Sequence, residues 1–72
     1  MSQGVILFPS IHFAIRAEKL MKEKGISYKL IPVPRPLSSD CGVCLRIPWE
    51  KKEEVLGILA QSAVKVDGAH PL

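Results

Sequence analysis

The sequence predicts a small α+β domain of strand-helix-strand-strand-helix-strand order, and three observations carry that reading. Two stretches with apolar residues at helical spacing alternate with four short runs of strand character. Glycine or proline closes most of these elements, and 72 residues leave room for one hydrophobic core. A core of that size contributes at most ~3 to 5 kcal/mol net. A single domain over residues 1–72 is therefore expected, with an ordered core over about 4–68 and a loose tail over 69–72.

Residues 4–9 are a short, wholly apolar run ended by Pro9, which suits a strand buried on both faces. Ser10 offers an N-cap to a first helix in which Phe13, Ala14, Ala17, Leu20 and Met21 form one stripe, with Arg16, Lys19 and Glu23 opposite. Gly25 stops it. A second strand is expected over 26–33, with Pro32 near its end or on an edge. Residues 34–42 combine prolines, serines and glycine and read as a loop. Residues 43–47 alternate, with Val43, Leu45 and Ile47 on one face and Cys44 and Arg46 on the other. Pro48, Glu50, Glu53 and Glu54 suit the first turns of a second helix, and Val55, Leu56, Leu59 and Ala63 form its buried stripe. Residues 64–67, closed by Gly68, read as the last strand.

This order packs most simply as a four-stranded antiparallel sheet with both helices on one face, the ferredoxin-like two-layer plan. Right-handed crossovers then place strands 1 and 3 side by side. The end of strand 1, the start of helix 1 and the 34–42 loop gather at one edge. Ser10 and His12 are expected near Cys41, and His70 at the far edge.

Apolar residues make up 47% of the chain and charged residues 24%, a globular balance, and the longest apolar run is far too short to cross a bilayer. The N-terminus lacks the basic and long apolar regions of a secretory signal, so a reducing cytoplasm is expected and the two cysteines are read as thiols. The net charge of +3 is spread along the chain and specifies no nucleic-acid partner.

Cys41 is the leading candidate for chemistry. A thiol reacts as thiolate, whose pKa falls beside a helix N-terminus or a cation. Helix 1 offers the first, and Arg35, Arg46 and His12 the second. Ser38 and Ser39 supply hydroxyl donors, and Gly42 permits a turn that presents the sulfur. The competing reading makes Cys41 a small apolar residue at a strand entrance. Cys44 sits within an alternating strand, where a structural role competes with that of a resolving thiol. Three residues of extended chain span ~10 Å, beyond the ~7 Å reach of a disulfide, so pairing of Cys41 with Cys44 requires a turn or bulge at Gly42 and Val43. No metal site is expected, because one Cys-x-x-Cys supplies two of the four ligands that structural zinc takes.

The runs Phe8-Pro-Ser-Ile-His-Phe-Ala-Ile-Arg-Ala-Glu-Lys-Leu20, Gly25-Ile26, Leu30-Ile-Pro-Val-Pro-Arg35, Ser38-Ser39 and Cys41-Gly-Val-Cys-Leu-Arg46 resemble the family of small bacterial selenium/sulfur carrier-like proteins. The resemblance implies a cytoplasmic carrier, rather than a turnover enzyme, in which Cys41 holds a sulfur or selenium atom as persulfide or selenylsulfide. It implies no cofactor beyond that transient atom, and as partners a protein donor such as a cysteine desulfurase and an acceptor enzyme. The chain departs from the family pattern at Cys44, where a small residue such as alanine is usual. A second hypothesis is a regulatory or assembly module that binds a protein through the open sheet face and an Ile11/Ile15 stripe. That stripe and the doubly apolar first strand also raise self-association, although a covering loop explains them equally well. A third, a single-stranded RNA binder, is disfavoured because strand 3 offers no aromatic platform.

Overall fold

The computed structural model describes residues 2–34, 37 and 42–72. In chain order these form β1 (Gln3–Leu7), α1 (Ile11–Lys24), β2 (Lys29–Pro32), β3 (Val43–Pro48), a 3-10 turn (Trp49–Lys51), α2 (Lys52–Gln61) and β4 (Gly68–Pro71). The strands make one antiparallel sheet in the order β2-β3-β1-β4. The fold is α+β, and β1 and β3 lie side by side as the crossover rule requires.

The two helices end alike. After α1, the Gly25 N–H donates to the Lys22 carbonyl (3.2 Å) and the Ile26 N–H to the Met21 carbonyl (3.0 Å). After α2, the Ala63 N–H donates to Ala60 (3.2 Å) and the Val64 N–H to Leu59 (2.9 Å). Each is a Schellman motif, in which the residue after the left-handed position turns an apolar side chain back onto the last helical turn. Ile26 and Val64 are accordingly buried.

These endings correct two expected strands. Ile26 is taken up by the helix end, so β2 starts at Lys29 instead of residue 26. Val64 is taken up in the same way, and the final strand falls on Gly68–Pro71 instead of 64–67, within the segment expected to be a loose tail. His70 thus lies in β4, not after it. Ala63 is outside α2, at a left-handed φ of 58°, and does not extend the buried stripe. Pro48 closes β3 instead of opening the second helix.

Strand alternation divides the core into two clusters. Ile6, Phe8, Leu45 and Ile47 pack with Ala14, Ala17 and Met21 of α1 and Val55 and Leu59 of α2. On the other side of the sheet Val5, Leu7 and Cys44 form a smaller cluster, against which Ile31, Val33 and Leu37 pack. Leu37 belongs to the segment between β2 and β3, so part of that segment covers the sheet face where no helix residue joins the cluster.

Two details fix the borders of the sheet. Trp49 lies over Gly4, where any Cβ would collide with the indole, and the Lys52 ammonium sits 5.1 Å from the ring centroid. On the outer strands, hydrogen bonds from Val33 N–H to Gly42 (3.3 Å) and from Leu72 N–H to Gln3 (2.8 Å) set which amides face inward. By alternation, the outward positions on β2 are Leu30 and Pro32, and on β4 Ala69 and Pro71. One of the two on each border is a proline, which has no N–H to offer a further strand.

Candidate functional site

Of the residues expected at the site, Ser10, His12, Gly42 and Cys44 lie on the elements that meet at the end of β1. The pairing of Leu7 with Cys44 brings the start of β3 beside the point where the chain leaves β1 for α1. Val33 N–H donating to Gly42 O closes the base of the intervening loop at this same end of the sheet. Gly42 has a φ of 79°, the left-handed region that favours glycine, and nothing lies within 4 Å of where a Cβ would stand. Cys41, Arg35, Ser38 and Ser39 lie outside the described residues.

The start of α1 is electrostatically unfinished. Ser10 has N-cap geometry, with φ −153° and ψ 162°, yet its hydroxyl makes no cap hydrogen bond, and the first turn holds no acidic residue. The amides of Ile11, His12 and Phe13 are those that an α-helix leaves without intrahelical acceptors. Among the described residues the positive end of the helix dipole is therefore met by neither a side-chain cap nor a first-turn carboxylate. His12 is exposed on this turn. Ile11 and Ile15 flank it, 43% and 44% exposed.

Cys44 has no exposed surface, and its Sγ lies 3.9 Å from the Pro32 carbonyl oxygen. Its side chain joins the smaller sheet cluster with Val5 and Leu7, apart from Leu45 and Ile47, as the alternation of β3 leads one to expect. Arg46, two residues on, projects from that same face and is level with Val5, the middle of β1 and two residues back from Leu7.

Register brings into line with Arg46 one residue that the sequence reading did not single out, Lys29, and one that it set at the far edge, His70. Lys29 pairs directly with Arg46, and His70 pairs with Val5, so Lys29, Arg46, Val5 and His70 form one row across the sheet. The imidazole leans over Gly68, where an added Cβ would come 3.1 Å from Nε2. Arg46 was visible in the alternation of β3. Its neighbours depend on cross-strand register, and His70 on a strand that the sequence placed elsewhere.

Other polar features are structural. The Tyr28 hydroxyl donates to Glu18 Oε2 at 3.3 Å, and partial desolvation, then the Glu18 charge and this bond, hold the phenol above its ordinary pKa. The Arg16 guanidinium donates to the Ser62 carbonyl (2.8 Å) across a cleft of about 280 Å³ lined by Lys19, Leu20 and Glu23 as well. Among the described residues, none expected at the site lines that cleft. Among the described residues there is no cluster of three metal-ligating side chains, and no helix is long and apolar enough to cross a membrane.

A family model described as "Putative Se/S carrier protein-like" matches residues 3–71. No curated protein and no solved structure matches the chain.

Proposed function

The chain belongs to this Se/S carrier protein-like family, and from that premise we propose that it is a cytoplasmic carrier that holds a sulfur or selenium atom on Cys41 and passes it between two partner proteins. The observation that carries the reading is the α1 N-terminus. Its amides are left open by Ser10 and by the acid-free first turn, at the sheet end where the cysteine loop is anchored. Such a terminus stabilises a nearby anion, which is what both a thiolate and a persulfide are. The ferredoxin-like plan, with both helices on one sheet face, belongs to the same proposal. It is supported by the strand order and by the cluster that unites α1, α2 and one side of the sheet.

Transfer proceeds without net oxidation. The Cys41 thiolate attacks the terminal sulfur of a donor cysteine persulfide. A bond forms between Cys41 Sγ and that sulfur, the donor's S–S bond breaks, and the donor cysteine leaves as thiolate. An acceptor nucleophile then attacks the terminal sulfur on Cys41 and returns Cys41 as thiolate. Arg35 and the helix amides stabilise the anion, His12 orients or deprotonates the thiol, Ser38 and Ser39 donate hydrogen bonds to it, and Gly42 keeps access open. Cys44 is assigned to the sheet and not to transfer, which its complete burial supports.

Intact-mass analysis after incubation with a cysteine desulfurase and cysteine tests the proposal. A gain of one sulfur atom that is lost in Cys41→Ser and kept in Cys44→Ala is expected. An adduct absent from the native chain, or retained in Cys41→Ser, sinks it.

A further inference from the structure

The connection between β2 and β3 is longer than its ends require. Pro32 and Val43 are paired across the ladder, and antiparallel neighbours are commonly joined by about two to five residues. Here the chain runs through 33–42 before it re-enters the sheet. A connection of that length has many conformations open to it unless its middle is tied down. Two ties are present. The Val33 N–H donates to the Gly42 carbonyl at 3.3 Å and closes the base. Leu37 packs against the cluster that Val5, Leu7 and Cys44 form by strand alternation, and so ties the middle. Leu37 is the one aliphatic residue between Val33 and Val43. The side chains of that cluster are fully or almost fully buried, Leu7 being 4% exposed. Among the described residues the cluster contains no helix residue, so covering the second apolar face of β1 draws this connection back over the sheet.

We propose that Leu37 is a positioning residue for Cys41: anchored on the sheet, it leaves 38–41 as a short span between two tied points, Leu37 and Gly42, and keeps the thiol at the sheet end where α1 begins. The freedom of a chain segment falls as the number of residues between its tied ends falls. A thiol held in this way meets the open amides of α1 without first having to be ordered. A thiol that wanders loses them, because the influence of a helix end on an anion fades within about one turn. Cys44 serves the same anchor, as a small, fully buried part of the seat, with its Sγ 3.9 Å from the Pro32 carbonyl oxygen where the connection departs. The role of Leu37 in aiming the thiol rests on the carrier reading. Its seat on the sheet does not.

The test is the rate of iodoacetamide alkylation at Cys41 against pH, located by fragment mass, in the native chain and in Leu37→Ala, Leu37→Met and Leu56→Ala. The native midpoint is expected below the ordinary thiol value of ~8.5 and should rise toward it in Leu37→Ala. The rate at pH 7 should then fall roughly fivefold or more, with the plateau at high pH kept. Leu37→Met, similar in volume, should restore the native midpoint. Leu56 is half-buried against the main cluster, so Leu56→Ala should lower Tm without moving the midpoint, which separates aiming from stability. A lowered native midpoint that Leu37→Ala leaves in place overturns the proposal, as does an equal rise in Leu56→Ala. An ordinary native midpoint counts against the carrier site itself. Hydrogen exchange over residues 38–43 then reads the anchor alone: faster exchange in Leu37→Ala than in Leu37→Met upholds it, and equal exchange overturns it. The sulfur adduct on Cys41 is read separately by mass, so either proposal can fail while the other stands.

Discussion

Replacing Gly4 with alanine adds one methyl group and should cost more than most core changes of that size. An ideal Cβ there overlaps Trp49 Cε3 and falls 2.5 Å from Cζ3 and 2.9 Å from Cδ2, closer than real Cβ contacts come. The strand cannot retreat, since Gly4 is paired with Ile47 on one side and Pro71 on the other. The indole must swing off the sheet and lose its seat beside Lys52. Overpacking of this kind costs ~1 to 3 kcal/mol. Against it, alanine restricts the unfolded chain and returns about 0.4 to 1 kcal/mol. A net loss of about 1 to 2 kcal/mol corresponds to a Tm lower by roughly 5 to 15 °C in a domain of this size. Thermal unfolding followed by circular dichroism measures the loss. Trp49 is the chain's one tryptophan, so its emission reports the displacement directly and should move to longer wavelength. In a Trp49→Ala background the same Gly4→Ala change should be neutral or mildly stabilising, because the clash has gone. A Gly4→Ala protein with native Tm and unmoved emission, or equal losses in the two backgrounds, would refute the reasoning.

Further expectations concern the turns and one phenol. Ala63→Gly should raise stability by about 0.5 to 1 kcal/mol in urea unfolding, because alanine at φ 58° carries a left-handed penalty that glycine escapes. Gly42→Ala should cost about 1 to 2 kcal/mol by the same measurement, from strain at φ 79° and not from crowding, and Gly42→Asn should cost less. Tyr28 holds its proton in the folded state at pH values where the unfolded chain has lost it. Its contribution to stability is therefore complete below the ordinary tyrosine value of ~10 and disappears as pH rises through the folded value. Ultraviolet titration should show Glu18→Gln lowering the Tyr28 midpoint, and Tyr28→Phe should flatten the alkaline loss of stability.

The sequence was most informative where one residue determines local geometry. Gly25, the Ala14–Ala17–Met21 stripe and the alternation through Val43, Leu45 and Ile47 each identified an element and the side it buries. It misled where the same residue types serve a different purpose. Ile26 and Val64 look like strand formers by β-branching, but each is spent on a helix ending whose signature is a hydrogen-bond pattern. In the second case the signature is further hidden, because alanine and not glycine occupies the left-handed position. Gly68–Pro71 has little intrinsic strand character and is a strand because β1 offers it a ladder, which is a tertiary fact. For the site, chain order was enough to foresee that α1 would begin beside the start of β3. The Lys29–Arg46–His70 row was out of reach, because register across three strand pairings has no local signal in any one of them.

The prolines at the two flanks of the sheet have a consequence for how such a small molecule behaves in a crowded solution. Each side offers a newcomer only a solitary amide, Leu30 on one and Ala69 on the other, too few to seed a growing ladder. Copies that collide sideways should part again instead of accreting into ribbons.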